Sequence, residues 1–426
     1  MNFLSILTRA WQVPDLRKKI IFTAGVLAVF RLVAHIPASG VDREALAALF
    51  SQSQLLSLLD IFSGGTLANF SILALGLNPY INASIIMQLL TLIFPKLEEL
   101  SKEGEAGRAK INQYTRFLTV PLAVAQAFAM YMLLQSQNIV GALGPISILG
   151  LIATMTAGTL FSMWLGELIT EHGIGNGISM LIFAGIVGRI PVVFGQTFVT
   201  SASEDIFQVF TFLFMALVVI FSVVFMNEAI RRVPVQYARR AARGGTVSQA
   251  THLPLRLNQA GVIPIIFAVS LVLAPSMIGQ FFANSNNQGV ARIAQEVVTY
   301  FSPTHPFYNV IYFLLVIGFT FFYTAVIFNP TKIADEIKKY GGFIPGIRPG
   351  EATANYLNHV LLRITLPGAV FLGLIAVLPS VIGQLSNASS LAIGGTGILI
   401  VVSVVLETVK KIEAQLVMRN YDKFVK

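Results

Sequence analysis

Ten runs of predominantly apolar residues, each about as long as a bilayer-spanning helix, constrain this chain most. A bilayer core about 30 Å thick is crossed by about 20 apolar residues in a helix. Only 12% of the 426 residues are charged, about half the share in an ordinary soluble domain. The sequence therefore predicts an all-α polytopic membrane protein with ten transmembrane helices. The predicted spans lie near residues 20–36, 72–94, 114–134, 146–166, 176–194, 207–227, 258–281, 308–328, 358–379 and 391–409.

The positions of the basic residues give the orientation of these spans. All but four of the 29 Lys and Arg residues fall in segments that the ten spans place on one side of the membrane. The four exceptions are Arg31, Arg43, Arg189 and Arg292. Because cytoplasmic loops carry an excess of Lys and Arg, we expect cytoplasmic N- and C-termini. We also expect the first apolar run to be a retained span, since no convincing small-residue cleavage site follows it.

Motifs for catalysis and metal binding are missing from the sequence. Cys is absent, the five His residues are scattered, and the glycine-rich stretch at 173–177 fits a turn between the fourth and fifth spans. These observations argue against an intramembrane hydrolase. The charge-free centres of the spans argue against an ion-coupled transporter, which needs an intramembrane charge. The sequence therefore predicts a protein that is not an enzyme and has no cofactor or metal.

Three regions do not fit simple lipid-facing helices. Segment 57–71 is apolar but broken by Gly64 and Gly65, so it is either an external loop with one amphipathic turn or a re-entrant piece inside a cavity. In the second span, Pro79 predicts a kinked, packed helix rather than a pore wall. Loops 229–257 and 329–357 place Arg residues beside Gly and Pro, which fits either simple membrane anchors or a docking site for an acidic or phosphate-rich partner.

Several long strings of the sequence, in one consistent order, carry a resemblance to a known family. They occupy residues 62–66, 74–90, 102–108, 164–179, 251–255 and 343–351. The chain resembles the SecY family, the pore subunits of the bacterial Sec protein-conducting channel, over essentially its whole length.

The resemblance implies two inverted-repeat halves of five helices, 1–195 and 196–426. It implies the central channel subunit of the Sec translocon, a passive conduit driven by SecA or the ribosome. Unfolded secretory proteins would cross the membrane through it, and membrane segments would leave it sideways into the lipid. The implied location is the bacterial cytoplasmic (inner) membrane.

The resemblance also assigns the parts of the channel. An apolar pore ring falls on Leu77, Ile81, Ile178, Ile182, Ile266 and Ile400. Segment 57–71 matches the plug that closes the pore from outside, with candidate residues Asp60, Phe62, Ser63, Gly64, Gly65, Thr66 and Asn69. A ring of branched aliphatic side chains resists water and ions by dewetting.

A lateral gate is implied between spans two and three of one half and spans seven and eight of the other. Its candidate polar residues are Asn82, Gln88 and Gln126, each of which is alternatively an ordinary hydrogen bond between helices.

The resemblance implies docking of SecA or the ribosome on the two arginine loops, first through Arg348 and Arg243 and then through Arg239 and Arg240. The implied partners are SecE, SecG, SecA, the ribosome, the translocating polypeptide with its signal sequence, and membrane lipids. No direct reading of nucleic acid is implied beyond ribosome docking.

Overall fold

Helices dominate the computed structural model of the chain, which describes residues 3–38, 60, 65–67, 69–136, 144–201, 206–240, 246–282, 287–303, 305–385 and 394–425. The helices before residue 202 are α1 (Phe3–Gln12), α2 (Pro14–Ala34), α3 (Asn78–Ile93), α4 (Pro95–Lys102), α5 (Glu105–Ser136), α6 (Pro145–His172) and α7 (Gly177–Ser201).

The remaining elements include a small sheet as well as helices. The helices are α8 (Ile206–Glu228), α9 (Ile263–Phe282), α10 (Gln288–Tyr300), α11 (Pro306–Ile327), α12 (Pro330–Lys339), α13 (Glu351–Leu385) and α14 (Gly394–Val425). The strands are β1 (Ile230–Arg240), β2 (Thr246–Arg256) and β3 (Gly342–Phe343).

Each of the ten predicted spans overlaps one helix, namely α2, α3, α5, α6, α7, α8, α9, α11, α13 or α14. Among the described residues, five helices are long and apolar enough to cross a membrane by themselves, and a sixth span is formed if the bent pair α3 and α4 is counted as one. The described apolar parts of α7 and α8, Gly177–Arg189 and Ala216–Glu228, are shorter.

Large apolar side chains cover the outside of the bundle. Leu314 on α11 and Leu366 and Leu374 on α13 are each more than half exposed. Soluble proteins rarely display apolar surface of this extent, whereas lipid solvates it readily. The chain is therefore a multi-pass membrane protein.

The second span differs from its prediction. Residues 72–77 form a series of turns, and α3 begins only at Asn78, with Pro79 in its first turn. The predicted proline kink is wrong, because a proline at the start of a helix has no hydrogen bond to remove and its fixed φ favours helix entry. The sharp bend, of 102°, comes later, between α3 and α4.

The loop at 229–257 also differs from the all-α expectation. Strands β1 and β2 pair antiparallel from Ile230 opposite Arg256 to Arg240 opposite Thr246, and β3 pairs with β1 through Tyr237 and Gly342. This three-stranded sheet has the order β2-β1-β3. It packs on α12 and the start of α13 around a small apolar core. The buried members of that core are Val233, Val235, Leu255, Phe328, Ile337, Ile344, Leu357 and Leu361.

Candidate functional site

The six side chains expected to form the pore ring all belong to, or pack against, the main apolar core of the bundle. Leu77, Ile81, Ile182 and Ile400 are buried members of this cluster, and Ile178 and Ile266 are partly buried and pack against it. Four separate elements supply them: the start of α3, α7, α9 and α14. The four buried members are each less than 10% exposed.

The start of α7 is held in place from two sides. The side-chain oxygen of Asn176 accepts hydrogen bonds from the backbone N–H groups of Ile178, at 3.1 Å, and Ser179, at 3.3 Å. Such a cap satisfies the free donors of a first helical turn. On the facing helix α6, Gly166 leaves room for Ile178, since a Cβ at position 166 would lie 2.5 Å from Ile178 Cδ1. The glycine therefore allows Ile178 its position beside the cluster.

An ion pair connects the segment expected to form the plug to α7. The fully buried carboxylate of Asp60 pairs with the guanidinium of Arg189, which is a quarter exposed. A buried charge without a partner is costly, so this pair fixes the segment against the helix that carries Ile178 and Ile182. The Gly65 N–H donates a hydrogen bond to the Asp60 carbonyl oxygen, at 2.8 Å, and Gly65 has the positive φ of 81° that glycine tolerates.

The turns between Gly65 and α3 are buried and internally bonded. The Thr66 hydroxyl, fully buried, donates to the Leu73 carbonyl at 2.8 Å, and the Ser71 N–H donates to the Thr66 carbonyl at 3.0 Å. Leu67, Phe70 and Leu73 belong to the same apolar cluster as the ring candidates. Asn69 is exposed. The plug candidates Phe62, Ser63 and Gly64 lie outside the described residues.

One of the three polar gate candidates, Gln88, forms a hydrogen bond to a helix far away in sequence. The Tyr323 hydroxyl on α11 donates to the Gln88 side-chain oxygen on α3 at 2.8 Å. The Tyr323 ring also meets Phe267 of α9 edge to face, with 5.3 Å between the ring centroids. Asn82 on α3 and Gln126 on α5 are half-buried. Helix α9 contacts both α3 and α5, so three of the four helices expected to line the gate touch one another.

The expected docking arginines lie on or beside the small sheet. Arg348 is exposed on the tip between β3 and α13, and its carbonyl accepts a hydrogen bond from the Thr353 hydroxyl at 2.9 Å. Gly346 and Gly350 flank it with φ of 81° and 104°, so the tip has a defined shape that side chains larger than glycine disfavour. Arg239 and Arg240 end strand β1, and Arg243 lies outside the described residues.

The sequence alone does not indicate a role for two residues of this site, Arg189 and Tyr323. By sequence, Arg189 is one of the four basic residues on the less basic side, and Tyr323 is part of an apolar span. Each residue contacts a partner far away in sequence: Arg189 pairs with Asp60, and Tyr323 bonds to Gln88. A signal for Arg189 was present, since an arginine near the end of a span invites a search for its counter-ion.

Comparisons with known proteins agree with this architecture. The sequence profile of the SecY family matches residues 71–409. Protein translocase subunit SecY of Mycobacterium leprae (strain TN) is 46% identical over 447 residues, which cover 99% of this chain and 100% of that protein.

Solved structures share the fold. One is a SecY protein whose plug domain is described as stabilising the closed state of the translocation channel and maintaining a membrane seal, with a TM-score of 0.67, 19% identity and coverage of 93% of this chain and 92% of that one. Another is Sec61 in the canine ribosome-channel complex from the endoplasmic reticulum, with a TM-score of 0.66, 18% identity and the same coverage. Because the family profile spans well over half of the sequence and the mycobacterial relative is so similar over its full length, the chain belongs to the SecY family of protein translocase channel subunits.

Proposed function

We propose that the chain is the central channel subunit of a Sec translocon, and that unfolded secretory proteins pass through the waist formed by Leu77, Ile81, Ile178, Ile182, Ile266 and Ile400. The observation that supports this proposal is that these six side chains, which come from four elements, all belong to or pack against the main apolar core of the bundle. As a member of a channel family, the chain is not an enzyme.

The closed state of this channel rests on the ring and the plug together. Branched aliphatic side chains at a narrow waist exclude water and therefore ions, and they contact a moving polypeptide without binding it strongly. The plug segment around Asp60, Gly65 and Thr66 seats against the same apolar cluster, and the Asp60–Arg189 ion pair keeps it there. Opening then requires that this pair separates.

The lateral gate opens between α3 and α5 on one side and α9 and α11 on the other. The hydrogen bond from Tyr323 to Gln88 and the contact of Tyr323 with Phe267 hold this seam shut in the resting channel. An apolar signal or membrane segment stabilises the open seam, since it gains free energy by partitioning into lipid. Asn82 and Gln126 line the same helices and tune the opening.

A cationic platform formed by the sheet and the 329–357 segment docks the partner that drives transport. Arg348 is exposed on a shaped tip, which suits bidentate pairing with carboxylates or phosphates. The similar fold of a Sec61 channel found in a ribosome complex supports the ribosome as one such partner, and SecA is the other. The residues Arg239, Arg240 and Arg243 extend the docking surface.

Two small subunits, SecE and SecG, complete the assembly.

The proposal also specifies the membrane in which the chain lies and the two halves into which the chain is divided. The chain lies in the bacterial inner membrane with both termini in the cytoplasm, as the excess of Lys and Arg on one side supports. Residues 1–195 and 196–426 act as two halves that move apart about the seam.

A protease-protection assay tests this function. The full chain is reconstituted with SecE and SecG in vesicles, and SecA, ATP and an unfolded secretory precursor are added outside. We expect the precursor to become resistant to added protease, and to become sensitive again when detergent opens the vesicles. A chain that transports only small solutes leaves the precursor fully sensitive, and that result would contradict the proposal.

A further inference from the structure

Helix α10 connects the gate helices α9 and α11 at the end of the bundle opposite to the β1–β2 hairpin. Its first turn is capped by Asn287, whose side-chain oxygen accepts a hydrogen bond from the Gly289 N–H at 3.1 Å. The helix is 13 residues long, which is too short to cross a bilayer. It therefore lies beside the ends of the spans and not among them.

The residues of α10 divide into three faces, because each residue advances about 100° around a helix. Ala294 is buried against α9, where Gly279 permits a close approach: a Cβ at position 279 would lie 2.9 Å from Val298 Cγ2. A polar face carries Arg292 and Glu296, which form an exposed ion pair at 3.4 Å. The third face is apolar and exposed.

This apolar stripe consists of Val290, Ile293 and Tyr300, and Ile293 is 65% exposed. The three positions are separated by three and seven residues, so their side chains lie on one side of the helix. Neither the polar face nor the contact with α9 covers them. An exposed stripe next to a polar face is the pattern of a helix that lies in the plane of a membrane interface.

The stripe meets a neighbouring span at one end, where Tyr300 contacts Phe307 of α11 edge to face, with ring centroids 5.9 Å apart. The spans on either side of α10 also expose large apolar side chains, since Ile278 near the end of α9 and Val310 near the start of α11 are each 58% exposed. Aromatic side chains concentrate at the level of lipid headgroups, which places α10 at that level.

We propose that α10 is an interfacial anchor. Its stripe of Val290, Ile293 and Tyr300 lies in the lipid leaflet opposite to the β1–β2 hairpin, while Arg292 and Glu296 face water. The occupant of the stripe is lipid and not a second protein. The anchor holds the end of α9 and the start of α11 at the membrane surface. The connection between these two gate helices is therefore fixed to the bilayer. This assignment does not depend on which substrate the channel carries.

The chain lacks Cys, so a single spin label reports one position. The full chain with Ile293→Cys or Val290→Cys is labelled with a nitroxide in vesicles of phosphatidylethanolamine and phosphatidylglycerol, and collision rates with oxygen and with a water-soluble nickel chelate are measured. We expect the ratio of oxygen to nickel collisions at 290 and 293 to be severalfold higher than at the control Glu296→Cys on the polar face. It should approach the ratio at Leu314→Cys, a lipid-facing reference on α11.

Two results would overturn the anchor. Equal ratios at positions 293 and 296 would mean that both faces are in water. A label at 293 that is immobilised and shielded from both reagents would mean that protein covers the stripe. Because cysteine changes the stripe little and two stripe positions are tested, a folding defect in one variant does not decide the outcome.

Discussion

Tyr323 and Gln88 form a hydrogen bond across the seam where we propose that the lateral gate opens, with 2.8 Å between the tyrosine hydroxyl and the glutamine side-chain oxygen. The tyrosine comes from α11 and the glutamine from α3, 235 residues apart. Because Phe267 of α9 packs against the same ring, Tyr323 is in contact with one helix from each side of the seam.

The Tyr323→Phe variant removes this hydrogen bond and keeps the aromatic contact. Hydrogen bonds between membrane helices contribute about 0.6 kcal/mol on average, which corresponds to about a threefold shift in an equilibrium. We expect a gate that opens more readily, so that a precursor with a weakened signal sequence is exported about threefold better. Export into reconstituted vesicles measures this.

Tyr312→Phe is the matched control for that variant. Tyr312 lies on the same helix and is buried, but its hydroxyl has no hydrogen-bond partner in the described part of the chain. The control should export the weakened precursor as the parent chain does. If both variants behave alike, the bond to Gln88 does not restrain the gate.

The ion pair of Asp60 and Arg189 gives a prediction about the resting leak. Removing one partner of a buried ion pair costs about 3–5 kcal/mol, and partial exposure of Arg189 lowers that cost. We expect Asp60→Asn or Arg189→Gln to raise the ion conductance of the resting channel in planar bilayers by more than about tenfold. The exchanged pair, Asp60→Arg with Arg189→Asp, should lower the leak again. Resting conductance at the parent level in both single variants would show that the pair does not hold the plug.

The apolar waist gives a second prediction about conductance. Replacing Ile81, Ile178 and Ile400 with Gly removes branched side chains that three different helices contribute to the proposed waist, so water wets the waist and small ions pass. Glycine also weakens helices. The control therefore places three glycines at the lipid-facing positions Leu314, Leu366 and Leu374, where we expect background conductance. If the triple waist variant shows the same background conductance as this control, the pore ring lies at other residues.

Arg348 gives a prediction about docking. Arg348→Glu reverses the charge on the exposed tip without touching the buried core of the platform. We expect SecA-driven translocation to be abolished, while the protein still inserts and folds. Lys339→Glu makes the same charge change at an exposed position on α12 and should keep most of the activity. If the two variants lose the same amount of SecA-driven translocation, Arg348 contributes only to the overall positive charge of this surface and is not a specific docking residue.

The spans were predictable because hydropathy and length together define a membrane helix. Turns and helices inside a protein are equally apolar, however, and therefore residues 72–77 were wrongly assigned to the second span. The position of Pro79 carried the needed signal, since proline favours the first turn of a helix. The alternation of Val233, Val235 and Tyr237 before a Gly-Gly pair was a comparable signal for a hairpin.

The site was less predictable than the fold, because its key contacts join distant parts of the chain. From composition alone, an isoleucine in a span faces lipid or packs against other helices more often than it lines a pore, so the six ring positions depend on the family resemblance. The Asp60–Arg189 and Gln88–Tyr323 pairs depend on packing between separate elements. No local pattern in the sequence specifies such partners.

Crosslinking of a stalled secretory chain to single cysteines tests the central claim most directly, since the parent chain contains no Cys. Cysteines at Ile81 and Ile182 of the waist are compared with cysteines at Leu314 and Leu374 on the lipid-facing surface. We predict strong crosslinks from the middle of the stalled chain to both waist positions and none to the lipid-facing pair. Crosslinks that are absent from the waist, with the waist cysteines reacting instead with lipid-soluble probes, would contradict passage through this cluster.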